Sequence, residues 1–556
     1  MSLTTVLKKM EKGNSIFEAS IRKLNVPVCK EFLGKGGKLQ PVAFKESGKT
    51  LKTKDSKKVN AAFPHVSTAS SNRLLVGKAF SGKAAKRKRV AVLFSGGPAA
   101  GGHNVVAGIK TILGKGNTVL GVKAGPKGLL EGNLFEIKDT DVKRILNTGG
   151  FDFLGSDRTK IKTPEQFEQV KNTCVKNKLD AIVVIGGDDS NTNAAILAEY
   201  LFAGIHADGR GVQVIGVPKT IDGDLQIGDL LPISFGFDTA TKIYAEMVGN
   251  ILQDTPSSRK YWHFVKLMGR AASHVALEVG LQTRPAITLI SEEIAEKKMS
   301  LANIIDDIAK TVIARAKKGI SHGVVLIPEG IVEFIPEMNV LLSELNEALA
   351  HHEPVEAIKH LSKDSTALFS SLPGYIKDML LAERDSHGNL QVSLIPTERL
   401  LIDMTIARVK SLDAKVKFNT LNHFFGYEGR CGAPSLFDAA YTFNLGLTTG
   451  SLILAGKTGY IAAISDLNKG GKILALPLTG LLNIERRHGK DEMVIEKALV
   501  KTNSAAFKFF ASRRKAWSQS DQFTSPGPRQ LWGPAAQQLP ISVALNQKYK
   551  NLDFKL

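Results

Sequence analysis

With 556 residues, 43% of them hydrophobic, and 51 glycines, the chain can form two or more domains with substantial cores and is not a disordered polypeptide. Three scattered cysteines, Cys29, Cys174 and Cys431, argue against a disulfide framework or zinc site; no apolar stretch reaches the ~18 residues of a membrane span, so a soluble, cytoplasmic protein is expected. The net charge of +21 sits mostly in residues 1–90, where 21 Lys plus Arg face 5 Asp plus Glu, and the scarcity of aromatics there marks a solvated arm rather than a reader of nucleic acid.

Residues 1–88 read as a basic N-terminal extension with short amphipathic pieces such as Thr5–Lys12, and Lys83–Arg89 as the surface lead-in to the first core strand. Val90–Phe94 is an apolar run with strand character. It ends in the glycine-rich loop Ser95 to Gly102, and helical spacing follows from His103 to Leu113. Such a loop lets an anion approach main-chain N–H groups, although it is neither a Walker loop nor a clean dinucleotide fingerprint. A further glycine-punctuated loop, Gly149–Arg158, carries Arg158, which can meet a phosphate oxygen or merely close a turn.

Ala181–Ile185 predicts a buried parallel strand that turns at Gly186-Gly187, with Ser190, Asn191 or Thr192 capping the next helix. Asp188 and Asp189 then lie at a strand-to-helix crossover, where open α/β sheets bind ligands. Free N–H groups there suit phosphate, and a carboxylate among them is compatible with phosphate when a divalent cation lies between, so Asp188 is read as a magnesium ligand. The strand Val212–Val217 leads into Pro218-Lys219-Thr220-Ile221-Asp222-Gly223-Asp224. Lys219 offers a point charge for a polyphosphate; Asp222 and Asp224, two apart in extended chain, are expected to point the same way and divide the roles of base and orienting group. Three successive strands thus deliver glycine, carboxylate and lysine chemistry to their C-terminal ends.

Strands are expected at Tyr261–Met268, preceding Gly269-Arg270, at Ala286–Ser291, and at Gly323–Ile327, leading into Pro328-Glu329-Gly330. Residues 335–412 read as a helical insertion containing a polar turn at Asp385–Asn389. Phe424 to Arg430 forms a glycine-rich turn before the helix Leu436–Leu447, with Arg430 a candidate for phosphate capture. The alternation of strands and helices predicts an α/β protein of two doubly wound, mainly parallel-sheet domains. Their expected bounds are residues 89–240 and 241–500, with a C-terminal segment, 501–556, packing back on the core.

Gly186 to Ser190, Pro218 to Asp224, Met268-Gly269-Arg270, Pro328-Glu329-Gly330 and Tyr427-Glu428-Gly429-Arg430 occur in the order and approximate spacing of the phosphofructokinases, and the chain resembles their long, pyrophosphate-dependent type. The run Gly101 to Asn104 carries the same resemblance. It implies reversible, magnesium-dependent phosphoryl transfer from pyrophosphate to the 1-hydroxyl of fructose 6-phosphate. It further implies that Gly97 and Lys219 bind pyrophosphate, that Asp188 binds magnesium and that Asp222 accepts the sugar proton. Asp189 and Asp224 belong to the same catalytic group. The sugar-phosphate positions are Thr220, Ile221, Asp222, Met268, Gly269, Arg270, Glu329, Tyr427, Glu428, Gly429 and Arg430. Lys260 and Tyr261 match a pair that reaches a neighbouring subunit's site, so a homodimer with shared active sites is implied. Pro98-Ala99-Ala100 departs from the family's usual loop, and Pro98 removes one N–H from it. Two alternatives stand beside this reading: an ATP-dependent 6-phosphofructokinase and a non-catalytic regulatory subunit of the same fold.

Overall fold

The structure is a computed structural model and describes residues 16–79, 87–382, 395–487, 490–523 and 540–547. The expected features at Thr5–Lys12, at Lys83–Lys86 and at Asp385–Asn389 lie outside the described residues. In chain order the strands are β1 (Val42–Thr50), β2 (Arg73–Ala79), β3 (Arg89–Ser95), β4 (Thr118–Val122), β5 (Leu134–Glu136), β6 (Ser156–Asp157), β7 (Ala181–Gly186), β8 (Gln213–Thr220) and β9 (Phe235–Gly236). Then come β10 (Tyr261–Leu267), β11 (Ile287–Thr288), β12 (Gly323–Pro328), β13 (Asn419–Phe425), β14 (Tyr460–Ser465), β15 (Lys472–Pro477), β16 (Leu482–Arg487) and β17 (Lys490–Ile495).

The described residues divide into two compact units: 16–79, 87–240, 430–487 and 490–498 form the first, and 241–382, 395–429, 499–523 and 540–547 the second. The first is built on an 11-stranded sheet of order β1-β2-β15-β14-β8-β7-β3-β4-β5, with β6 paired to β3 and β9 to β8. Its middle strands β8, β7, β3 and β4 are parallel, with Val92 opposite Val183 and Val183 opposite Ile215. Every residue of β7 is buried, which is why its sequence is a continuous apolar run rather than an alternation. The helix Gly102–Leu113 (α1) packs on Leu436–Leu454, and the latter continues seven residues beyond the expected Leu447.

Two expectations need correction here. Residues 42–79 are not a loose arm, because β1 and β2 extend the sheet: β1 pairs antiparallel with β2, and β2 with β15. The strand pattern was hidden in β1 because most of its residues, Lys45 and Lys49 among them, face solvent, as expected of a charged strand guarding a sheet edge. The span 241–500 is not one domain either, since 430–498 returns to the first unit and supplies β14 to β17.

The second unit holds a four-stranded parallel sheet, β11-β12-β10-β13. The strand expected at Ala286–Ser291 shortens to Ile287–Thr288, because Ser291 already opens a helix. The helix Leu301–Ala316, started by the reciprocal Ser300–Asn303 capping box, turns Ile304, Ile305, Ile308 and Val312 onto a core shared with Trp262 and Phe264 of β10. Described helices of the insertion contribute Met338, Leu341, Phe369 and Ile376 to that core. The helix Ala505–Gln519 buries Phe507, Phe510 and Trp517 against Leu277, Leu281 and Ile290. Among the described residues no helix is long and apolar enough to cross a membrane.

Candidate active site

In the first unit, the C-terminal ends of the parallel strands β3, β7 and β8 converge on a cavity of about 270 Å³. It is lined by Ser95, Gly96 and Gly97 after β3, by Asp188, Asp189 and Ser190 after β7, and by Lys219, Thr220, Asp222 and Asp224 at and beyond the end of β8. Arg158, Thr159, Lys160, Asn193 and Lys497 complete the wall.

The crossover after β7 is tighter than the sequence suggested. The helix is Asp188–Tyr200 (α2), its N-cap is Gly187 rather than Ser190, Asn191 or Thr192, and no side chain caps it. With glycine as N-cap no side chain closes the helix start from outside, the Asp189 N–H serves the Asp188 carboxyl, and the helix dipole favours an anion there. Asp188 and Asp189 occupy that first turn. Ser190 instead donates its hydroxyl to Ser95 Oγ at 2.8 Å, tying the β7 loop to the β3 loop. Gly96 is fastened as well: its N–H donates to Asp157 O at 2.8 Å and its carbonyl accepts from Ser156 Oγ at 2.5 Å.

Asp188 is the candidate metal ligand, and its surroundings fit a cation. Burial pushes its carboxyl above the ordinary aspartate value, Lys497 pulls it down, and Asp189 and Asp224 push it up again. Its Oδ2 is buried without a hydrogen-bond partner, a state that a hard divalent ion relieves. Among the described residues no group of three or more His, Cys, Asp or Glu side chains could hold a metal ion, so the protein does not supply an all-protein cage. Magnesium commonly takes one or two carboxylates and completes its shell with water and phosphate oxygens.

Lys219 is 7% exposed, and its pKa is lowered to about 8: burial is the main cause, Asp222 and Asp188 oppose it, and Arg430 and Arg158 add to it. Asp222 follows the end of β8, with its N–H donating to Thr220 Oγ1 at 3.1 Å. Ile221 is buried, which restricts its approach to a substrate to the main chain. Asp224 lines the same cavity as Asp222, but not by the expected backbone geometry. Gly223 adopts φ +75°, so the segment is not extended and the two-residue alternation does not apply. Asp224 instead lies 3.7 Å from Lys497 Nζ, and its carbonyl accepts from Ala498 N–H at 2.7 Å.

Gly97 packs against Arg430. A Cβ at position 97 would lie 2.4 Å from Arg430 Nη2, and Arg430 Nε reaches Pro98 O at 3.5 Å. The chain departure at Pro98-Ala99-Ala100 leaves a packed loop: Ala99 and Ala100 are fully buried.

In the second unit, Leu267 of β10 stands opposite both Pro328 of β12 and Phe425 of β13, so three parallel strands end in register. That register brings Met268-Gly269-Arg270, Glu329 and Tyr427-Glu428-Gly429 to one end of the sheet. Glu329 accepts from Gly269 N–H at 3.0 Å; burial pushes its carboxyl up, although that hydrogen bond, Lys266 and Arg270 restrain the shift. Arg270 meets Glu333 at 3.2 Å on the surface, and Glu428 accepts from Gly426 N–H at 2.8 Å. Gly429 lies against Tyr244, whose hydroxyl donates to Gly426 O at 2.5 Å. Lys260 and Tyr261 stand apart from this group, at the opposite end of β10, with Lys260 Nζ 4.9 Å above the Tyr261 ring. Lys497, Lys160, Thr159 and Asn193 escaped the sequence reading. None sits in a glycine-rich strand-end loop, and only the lysine charges could have drawn notice.

Doubly wound units whose parallel strands end in carboxylate, lysine and arginine side chains around glycine-bearing turns define an α/β protein built to hold phosphorylated molecules. The phosphofructokinase family pattern matches residues 89–453, and the chain belongs to that family. It is 45% identical over 491 residues to pyrophosphate--fructose 6-phosphate 1-phosphotransferase subunit beta 2 of Arabidopsis thaliana, covering 86% of this chain and 85% of that one. It is 44% identical over 512 residues to pyrophosphate--fructose 6-phosphate 1-phosphotransferase of Entamoeba histolytica, covering 89% of this chain and 92% of that one. Among solved structures, phosphofructokinase from Saccharomyces cerevisiae matches with a TM-score of 0.50 at 20% identity over 78% of this chain; this chain spans 47% of the yeast chain, and the likeness concerns the fold alone.

Proposed function

We infer that this chain catalyses reversible transfer of a phosphoryl group from pyrophosphate to the 1-hydroxyl of fructose 6-phosphate. The observation that carries the choice of donor is Asp189 in the first turn of α2, on the wall of the cavity that holds Lys219. A carboxylate at that helix start repels and obstructs a third phosphate with a nucleoside behind it, whereas a two-phosphate donor ends short of it. The names of the curated relatives point the same way.

In this reading the β3 loop and the N-terminal end of α2 cradle the donor, and Lys219 and Arg158 neutralise its charge. Asp222 takes the proton from the sugar hydroxyl as that oxygen attacks phosphorus. Asp188 would hold magnesium, which when bound supplies charge neutralisation to the phosphate oxygens. The positions assigned to fructose 6-phosphate are Met268, Gly269, Arg270, Glu329, Tyr427, Glu428 and Gly429 in the second unit, and Thr220, Ile221 and Arg430 in the first. Lys260 and Tyr261 serve a second copy of the chain: Tyr261 opens the 7-residue strand that Met268 follows, a span of about 20 Å that one small substrate does not bridge. The protein is accordingly a homodimer with shared sites.

The test is turnover with magnesium and fructose 6-phosphate, offering pyrophosphate or ATP in separate assays. Pyrophosphate should support turnover and ATP should support little, while Asp189→Gly should weaken pyrophosphate use and admit some ATP. Efficient ATP turnover without pyrophosphate activity would overturn the reading.

A further inference from the structure

Lys497 reaches the donor cavity from a part of the chain far from the other lining residues. It follows β17, whose hairpin with β16 is docked on α2 through a hydrogen bond from Ile495 N–H to Thr192 Oγ1 at 3.1 Å. Ala498 N–H then holds Asp224 O at 2.7 Å, so both flanks of Lys497 are pinned to elements that carry site residues. Its ammonium lies 3.7 Å from Asp224 Oδ2, in a cavity wall that also includes Asp188, Asp189 and Asp222. Burial works against its charge, yet Asp188, Asp224, Asp189 and Asp222 together raise its pKa above the ordinary lysine value. The charges on the wall balance only with it: Arg158, Lys160, Lys219 and Lys497 face four aspartates, and without Lys497 the wall becomes net negative.

At 3.7 Å from Asp224 the ammonium is in ion-pair contact but outside a short hydrogen bond, and the side chain is 38% exposed, so it can turn towards a ligand. We propose that Lys497 is the resident counter-ion of the donor cavity, pairing with the Asp224 carboxylate and offsetting the charge of Asp188 until magnesium arrives, and then donating its ammonium to pyrophosphate. Two consequences of opposite sign follow. A cation beside the carboxylates opposes a divalent ion, so removing it strengthens metal binding; the same removal leaves an anionic donor facing excess negative charge, so donor binding weakens. A merely structural role would weaken both.

The inference rests on the donor reading above. Wild-type turnover with pyrophosphate or ATP tests that reading by itself, and the following measurements test Lys497 in a protein already found to use pyrophosphate. Mn²⁺ binding is measured by electron paramagnetic resonance without pyrophosphate, and pyrophosphate binding by calorimetry with saturating Mg²⁺ and no sugar phosphate. In Lys497→Met the Mn²⁺ Kd should fall several-fold, the pyrophosphate Kd should rise about tenfold or more, and the fructose 6-phosphate KM should stay within about twofold. Lys497→Arg, which keeps the charge, should restore both affinities towards wild type. Weakening of both ligands together, or no change in either, would overturn the proposal.

Discussion

Gly97→Ala isolates the contact that links the first phosphate loop to Arg430. Gly97 is not among the positive-φ residues, so the substitution adds volume without backbone strain. The new methyl would sit 2.4 Å from Arg430 Nη2 and 3.2 Å from Cζ, whereas non-bonded heavy atoms settle at about 3.5–4.0 Å. The guanidinium must therefore retreat by about 1 Å, beyond what a charge-assisted hydrogen bond tolerates. Such a bond contributes about 1.5–3 kcal/mol, and at about 1.4 kcal/mol per decade its loss raises the fructose 6-phosphate KM by roughly 10- to 150-fold. Steady-state constants for wild type, Gly97→Ala, Arg430→Ala and the double variant form a cycle. The sugar-phosphate penalty of Gly97→Ala should vanish when Arg430 is already alanine. Any effect on the pyrophosphate KM, which arises from the loop itself, should persist. Additive penalties on the fructose 6-phosphate KM, or a Gly97→Ala protein within about twofold of wild type, would refute the argument.

Asp222→Asn keeps the shape of the side chain but removes the base, so kcat should drop about 10²- to 10⁴-fold with KM values little altered, measured at saturating magnesium. Lys219, with its pKa lowered to about 8, is charged below that pH and loses its charge above it. The pyrophosphate kcat/KM should accordingly fall above about pH 8, and Lys219→Arg, whose guanidinium does not titrate there, should flatten that limb relative to wild type. In the second unit, Asp521 accepts from Arg315 at 2.5 Å and pairs with His322 at 2.8 Å. The His322 hydrogen bond, opposed by burial and assisted by Arg315, lowers its pKa from 3.8 to about 2. A depressed carboxylate stabilises the fold above its unfolded pKa, so this contribution should be complete above pH 3.8 and lost as pH falls towards about 2. Asp521→Ala leaves the buried Arg315 guanidinium unpaired and should cost about 2–3 kcal/mol in urea unfolding near neutral pH, the partial exposure of Asp521 reducing the penalty.

What could be read from the sequence follows from which forces act locally. β3, β7 and β8 were legible because strands covered on both faces become unbroken apolar runs, and their glycine-bearing ends mark where the chain must turn. Asp188, Lys219 and Asp222 were legible for the same reason: each follows, or sits at the end of, such a run. β1 was not, because a strand with one neighbour and a solvated face needs little apolar patterning. Lys497 and the pairing of Asp224 were not, because they depend on residues 430–498 folding back onto the first unit, and no spacing within a few residues encodes a return over that distance. The start of α2 moved because Gly187 serves as N-cap without a side-chain acceptor, which Ser190, Asn191 or Thr192 would have supplied.

The pairing of β2 with β15 also sets an order of events during synthesis. Val76 stands opposite Leu474 and Leu75 opposite Ala475, partners separated by about 400 residues of chain. At a translation rate of about 5–20 residues per second, β15 leaves the ribosome about 20–80 s after β2. Throughout that interval β1 and β2 have no neighbour on the β2 side as well as none on the β1 side, and β2 carries Leu74 and Leu75, which are buried in the finished sheet. A two-stranded pair is marginal in water by itself, and the exposed charges of β1, Lys45 and Lys49 among them, oppose edge-to-edge pairing while β15 is still to be made. Closure of the first unit's sheet is consequently a late event even though its first strands are among the earliest made, and a truncation near residue 80 would leave β15 as a permanently unpaired edge.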